Sequence, residues 1–415
     1  MSETSAIRLS TGFPDKPPFA LIISLAMLAM LGPFTIDMIF PGFPHIGREF
    51  NVSTAQLQQI TSIYLVAFAG MSLFHGAISD AIGRKRVMLL AFSVYLLASL
   101  GTTLAPSFEL LLIFRTVQGL SAGGATVISR VIIRDLYSGP IAQRLTSNVM
   151  MVFALAPAIA PIIGGWVLLI GTWRHIFFAM FVYAAVTLVL TLIRIPETLP
   201  KTKRLPFKPG AILKALVHVG RNPRFLLLGL VTLASQGFFV YISAAPVIIP
   251  HYLGLSEQDY WLLFVPIIGG MTIGNLLVGR LSFRVRRSTF ISIALPVLLI
   301  AHSYSTVMAY LIIDTGNTHA LPAQLLMVGP ALAGLGAALM MGPTQLEMVD
   351  MFPDSKGSAT SVASFLLLLC SATIAGVIVP AAESAAWQLA AGALGLVVVG
   401  SIGWLIYRAV VKKPV

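Results

Sequence analysis

Charge is scarce in this chain. Only 10% of its 415 residues are Asp, Glu, Lys or Arg, whereas a soluble protein has roughly a quarter. That excludes a water-soluble globule. Cysteine is almost absent: Cys370 stands alone in an apolar run and reads as a small apolar filler, so there is no disulfide framework. Metal-ligand clusters, nucleophile constellations and phosphate-binding loops are also missing, and the chain does not read as an enzyme. The closely spaced glycines of Gly119-Leu-Ser-Ala-Gly-Gly124 lie in an apolar helix, without the strand–turn–helix setting of a nucleotide site. No metal and no organic cofactor is expected.

What the chain has is apolar length. Hydrophobic residues make up 57% of it, and mean hydropathy is +0.91. Its apolar runs are far longer than strands, so the chain reads as a helical integral membrane protein. Twelve spans are predicted: 19–42, 59–78, 87–105, 109–129, 145–169, 174–194, 224–250, 258–279, 288–313, 321–343, 357–380 and 384–407. Residues 1–18 read as a polar leading segment, and the run after them as a retained span rather than a signal peptide. Residues 195–223 form the longest connection, punctuated by Pro196, Pro200, Pro206, Pro209 and Pro223, and they divide the spans six and six. The expected organisation is a bundle over 19–194, a basic linker over 195–223, a second bundle over 224–407 and a tail over 408–415.

Bases outnumber acids 27 to 15, giving a net charge of +12. With the amino terminus inside, 24 of the 27 bases fall on the inner side; Arg48 and Arg174 fall outside and Arg115 in the membrane. This bias orients the chain with both termini cytoplasmic. It also accounts for the basic balance without a nucleic-acid partner.

Ionisable groups inside spans are costly, about 2.5–3.5 kcal/mol on insertion scales, and so are functional candidates. Asp37 lies late in span one among Pro33, Pro41 and Pro44. A carboxyl in an apolar cavity has its charged form disfavoured and becomes a candidate for proton exchange. The alternative is a wet residue at the outer boundary. Arg115, in span four, must face the bundle interior or snorkel outward, and Gln118 shares its helix face. Span five carries Ala156-Pro-Ala-Ile-Ala-Pro-Ile-Ile-Gly-Gly165, small residues that admit close helix approach. Arg130, Arg134 and Asp135 end span four as ion pairs at its inner mouth or as solvated anchors. His75 reads as a packed histidine. Gln236, Tyr241, Tyr260 and Asn275 are candidate cavity residues. Glu347, Asp350 and Asp354 are expected to pair with bases of the same side.

Between spans two and three lies Gly76-Ala-Ile-Ser-Asp-Ala-Ile-Gly-Arg-Lys-Arg86. It resembles the signature loop of the major facilitator superfamily through Gly76, Asp80, Gly83, Arg84 and Lys85. A weaker echo, Gly279-Arg280 to Arg287, follows span eight and lacks a match to Asp80. Arg115, Gln118 and Gly119 resemble the family's R-x-x-Q-G motif, associated with proton coupling. Pro157 lies in the same small-residue stretch as Pro161, Gly164 and Gly165, which resemble the exporter motif G-P-x-x-G-G with Ala160 in place of its first glycine. Asp37-Met-Ile-Phe-Pro-Gly42, Arg130 to Tyr137 and Trp173 to Phe177 look like the bicyclomycin/chloramphenicol-resistance branch of drug:proton antiporters. Asn222-Pro-Arg-Phe225 and Tyr260 to Leu277 are similar to MdfA-type transporters. Those carry a second acid in span one; here that position is Ala29.

The resemblance implies an all-α major facilitator fold, with twelve transmembrane helices in two pseudo-symmetric six-helix bundles. It implies a proton-coupled multidrug efflux antiporter in the inner membrane, a monomer working by alternating access on amphipathic drug-like molecules. Protons are its coupling ion, and the bilayer is its other partner. Phe34, Asp37, Met38, Phe68, Phe153, Gln236, Phe238, Phe239 and Tyr241 are expected to line its cavity. Two readings stay open beside it: an exporter of an endogenous metabolite such as an amino acid, sugar or siderophore, and a sensor without transport.

Overall fold

The computed structural model describes residues 17–315 and 323–412, apart from the side chains of Ala125, Thr126, Val127, Arg130, Pro140, Ser147 and Ala154. Arg8, Lys16, Lys413 and most of the leading segment therefore lie outside the described residues. No strand occurs among those described.

Among the described residues sixteen α-helices follow one another. The first are α1 (Phe19–Asp37), α2 (Phe43–Phe50), α3 (Thr54–Ile82), α4 (Arg84–Thr103), α5 (Phe108–Leu136), α6 (Gly139–Ile170) and α7 (Trp173–Arg194). The linker contains α8 (Pro209–Gly220), where the sequence suggested only a connection. The rest are α9 (Pro223–Ser235), α10 (Gly237–Val247), α11 (Trp261–Leu281), α12 (Arg287–Ala309), α13 (Val328–Asp350), α14 (Lys356–Thr373), α15 (Val379–Ala382) and α16 (Ala386–Lys412). Among the described residues, ten helical segments are long and apolar enough to cross a membrane, or eleven with the bent pair α9–α10 as one. Helix α5, with 29 residues, also has the length to cross.

Local chemistry sets the boundaries. Ser107 caps α5 by accepting from Leu110 N at 3.3 Å, and Glu109 sits in the first turn, where the helix dipole favours an acid. Asn222 caps α9, with Pro223 at the first helical position. Asp314 caps α16 from a distance, accepting from Ala386 N at 3.2 Å and Trp387 N at 3.1 Å.

Span seven departs from the continuous helix expected over 224–250. It breaks at Gln236, and α9 and α10 meet at a 41° bend. Gln236 N donates to Leu233 O at 3.1 Å, which tightens the last turn of α9. The Gln236 side chain donates to Ser371 Oγ at 2.5 Å and holds the break in place.

The chain divides into two compact units. One takes the residues up to Gly42 and Val66–Ile212; the other takes Phe43–Leu65 and the chain from Leu213 onward. The boundary falls inside α3, so its first turns belong with the second unit. There Gln58 donates to Ser243 O at 2.9 Å and accepts from Ser243 Oγ at 3.1 Å, both residues being fully buried. In the first unit α1 packs on α5, α6 and α7, and α4 on α5 and α7. In the second, α13 packs on α11 and α12, and α16 on α9 and α12.

Candidate functional site

The first unit buries an arginine completely. Arg115 has no exposed surface, so it does not snorkel. It donates from Nη1 to Gln118 Oε1 at 3.0 Å and to the carbonyl of Thr35 at 3.2 Å. Its guanidinium lies 5.9 Å from the centroid of the Phe177 ring, a cation–π approach. Gln118 passes the network on, donating to Ser99 Oγ at 2.9 Å. Ser99 in turn donates to Tyr95 O at 2.8 Å. The Tyr95 hydroxyl lies 2.6 Å from Thr35 Oγ1. The loop of bonds thus starts and ends on Thr35, tying α1, α4 and α5 together. A buried guanidinium needs this density of acceptors.

Asp37 stands two residues beyond Thr35, as the last residue of α1. It is 4% exposed, not wet, and its Oδ1 has no hydrogen-bond partner among the described residues. The bonds of Arg115 described above go to Thr35 and Gln118 and not to this acid. The arginine holds the α1 backbone just before the acid instead. Past Asp37 the chain narrows to a 3₁₀ turn, Phe40–Gly42. Gly164 of α6 presses against this exit: a β-carbon there would collide with the carbonyl of Met38 and lie 3.5 Å from Pro41 Cδ. The small-residue stretch therefore lets α6 approach the backbone beside Asp37. Pro157 and Pro161 lie inside α6, which runs unbroken through both, and Gly165 is buried beside Gly164.

The other expected lining residues distribute between the units. Phe34 stacks on Tyr183 at 5.2 Å, and Met38 and Phe68 are buried. Phe153 is half-buried on α6. In the second unit Gln236 bonds Ser371, while Phe238, Phe239 and Tyr241 are buried on α10. Tyr260 is buried and Asn275 exposed.

The loop between α3 and α4 forms a second cluster. Gly83 has φ +108°, a backbone that favours glycine, and it turns the chain between two helices. Gly76 has open space where a side chain would stand. Arg84 is nearly buried and pairs with Asp80, donates to Ser79 Oγ at 2.6 Å and lies 3.6 Å from Asp135 Oδ2. Lys85 donates to Leu192 O at 2.8 Å. Arg134 is exposed.

The start of the linker folds back on this loop. Glu197 Oε1 accepts from Arg84 N at 2.9 Å and from Leu199 N at 3.0 Å, and Glu197 Oε2 lies 3.7 Å from Arg204. Thr198 donates to Asp135 Oδ2 at 2.7 Å, and Leu205 N donates to Asp80 O at 3.1 Å. Burial raises the Asp135 carboxyl above its ordinary range, against the pull of Thr198 and Arg84. The sequence reading missed Thr35, Tyr95 and Ser99 as partners of Arg115, and Glu197, Thr198 and Arg204 as partners of the loop. A polar residue within an apolar span was the available signal for the first three.

Apolar helices of membrane-crossing length, divided between two compact units, define a polytopic membrane protein. The sequence profile of the Major Facilitator Superfamily matches residues 25–374, and the chain belongs to that family. It is 33% identical over 291 residues to the uncharacterized MFS-type transporter YdgK of Bacillus subtilis, covering 69% of this chain and 72% of that one. It is 27% identical over 358 residues to a bicyclomycin resistance protein homolog of Haemophilus influenzae, covering 84% and 86%. It is 31% identical over 242 residues to the multidrug resistance protein MdtL of Escherichia coli, covering 58% and 60%. The fold matches the xylose transporter XylE from E. coli with a TM-score of 0.71 at 15% identity, over 95% of this chain and 98% of that one. It also matches a peptide transporter with a TM-score of 0.75 at 14% identity, over 99% of each.

Proposed function

We propose that this transporter exports amphipathic drug-like molecules in exchange for protons, and that Asp37 carries the exchanged proton. The observation behind this reading is the buried Asp37 carboxyl, whose Oδ1 has no hydrogen-bond partner among the described residues, beside the buried Arg115 that bonds Thr35 O and Gln118. A lone buried carboxylate is costly, whereas the neutral acid is far less so. Asp37 is then protonated whenever the site is dehydrated and gives up its proton when water or drug reaches it. Arg115 acts through the α1 backbone, holding Thr35 so that Asp37 keeps its place. Coupling follows if drug and proton favour different states of the same element.

The resistance-named relatives support drug over metabolite as cargo. The bias of the bases supports a cytoplasmic-membrane setting with both termini inside; we take the protein as a monomer whose halves 19–194 and 224–407 move about the linker 195–223. The loop around Arg84 then serves the inner side. The test is chloramphenicol efflux from proteoliposomes under an imposed proton gradient. The gradient should drive transport in the parent and fail to drive it in Asp37→Asn; equal transport by both proteins would refute the assignment.

A further inference from the structure

The second unit buries a titratable group that the proposed function leaves unused. His302 lies in α12 and has no exposed surface. Its Nδ1 is 2.8 Å from the Tyr241 hydroxyl, and the two rings stack with centroids 5.5 Å apart. With Tyr241 donating to Nδ1, Nε2 carries the ring hydrogen. Nε2 has no hydrogen-bond partner among the described residues. It points at Gly237, where a β-carbon would come within 2.6 Å of it. Gly237 is the first residue after the break in span seven.

A cavity of about 50 Å³ lies against this pair, lined by Tyr241, Ser305, Tyr252 and Ala386 among mainly apolar residues. A water needs about 10–15 Å³ of such space and polar partners. Tyr241 supplies one, and the buried Ser305 Oγ supplies another. The acids Asp314 and Glu383 stand at the same end: Asp314 caps α16 at Ala386, and Tyr252 donates to Glu383 O at 2.6 Å. The helices packed on α12 include α9, α13 and α16. Glu347 and Asp350 meet Arg287 at the far end, and Arg408 and Lys412 close the last turns of α16. Arg224 is in the first turn of α9. Tyr241 is the titratable group bonded to His302.

We propose that His302 is a second proton-binding residue of the transport cycle, loaded through Tyr241 from this cavity and acting on the helix break at Gly237. This rests on the proton-coupled reading above. A hydronium ion reaching the cavity gives a proton to the Tyr241 oxygen as the Tyr241 hydroxyl passes its own to Nδ1, and it leaves as water. The hydroxyl is restored, and the imidazole, already protonated at Nε2, becomes imidazolium. The charged ring then needs an acceptor at Nε2 that the present break does not offer, so loading favours a different arrangement at Gln236–Gly237. Proton binding in the second unit is thereby tied to a helix bend that carries Gln236 and Tyr241.

The test uses the full-length protein with ¹⁵N-labelled imidazoles in lipid nanodiscs, titrated between about pH 5 and pH 8. One signal, absent from His302→Gln, should convert to imidazolium in this range, and Tyr241→Phe should move its midpoint. If His302→Gln does not fold, the signal moved by Tyr241→Phe identifies it in the parent. A signal that stays neutral throughout overturns proton binding. In proteoliposomes His302→Gln should lower gradient-driven chloramphenicol efflux by at least about fivefold; unchanged efflux overturns its role in coupling. A parent that ignores the gradient refutes the proton-coupled reading and the place of His302 in the cycle, while the titration still decides whether His302 binds a proton.

Discussion

The two units solve the burial of polar groups differently. The first buries ionisable groups: Arg115, bonded to acceptors on α1 and α5, and Asp37 beside it, whose Oδ1 has no hydrogen-bond partner among the described residues. The second buries neutral groups, Tyr241 on His302 and Gln236 on Ser371. Their basic ends share one plan with different depth. Arg84 opens α4 and reaches Asp135 near the end of α5; Arg287 opens α12 and reaches Asp350, the last residue of α13, at 2.6 Å. Arg84 is nearly buried and wrapped by the linker, whereas Arg287 is 43% exposed. A repeat can thus keep its helix plan while the ionic machinery concentrates in one copy.

The largest expected effect separates the units by function. Asp37→Asn should reduce gradient-driven efflux by about 100-fold or more, the scale on which a positioned proton carrier acts. Gln236→Leu, removing a neutral bond in the second unit, should reduce it far less in the same assay. An equal loss would break the contrast.

Stability should show the same ordering. Arg115→Met leaves the Thr35 carbonyl and the Gln118 amide without their buried donor, at about 1–3 kcal/mol for each group. Gln236→Leu should cost about 1 kcal/mol, because Ser371 keeps its bond to Leu367 O. Thermal unfolding in one detergent compares the two variants. Gly164→Ala should cost about 1–3 kcal/mol through its collision with the α1 exit. Gly342→Ala, in the second unit with open space at its β-position, should stay within about 0.5 kcal/mol.

At the basic ends Arg84→Ala should destabilise by about 1–3 kcal/mol. Arg287→Ala, more exposed, should cost under about 1 kcal/mol. The smallest effect concerns pH. Burial raises the Asp135 carboxyl, so the fold holds that proton more tightly than an unfolded chain does. Its contribution is fully present below the ordinary carboxylate range and is lost as pH rises through the raised value. Melting temperatures between about pH 4 and pH 7 should show this slope in the parent and lose it in Asp135→Asn.

How much of this was legible in the sequence depends on the range of the interaction. The apolar runs announced the spans, and Gly83 announced a turn, because both signals are local. Arg115 and Gln118 stood out as a charge and an amide within apolar sequence. That Arg115 would hold Thr35 depends on how α1 and α5 pack, which spacing along one helix does not encode. Glu197 and Thr198 looked like linker residues because their partners, Arg84 and Asp135, are more than sixty positions away in the chain. The break at Gln236 carried no proline and read as continuous helix. His302 was not singled out in span nine, because its meaning comes from Tyr241 and Gly237 across the bundle.

The central claim, that Asp37 exchanges a proton for drug, is tested most directly by adding chloramphenicol to purified, detergent-solubilised protein and recording proton release. The account predicts release from the parent and none from Asp37→Asn. Release from both proteins would contradict it and move the exchanged proton to another residue.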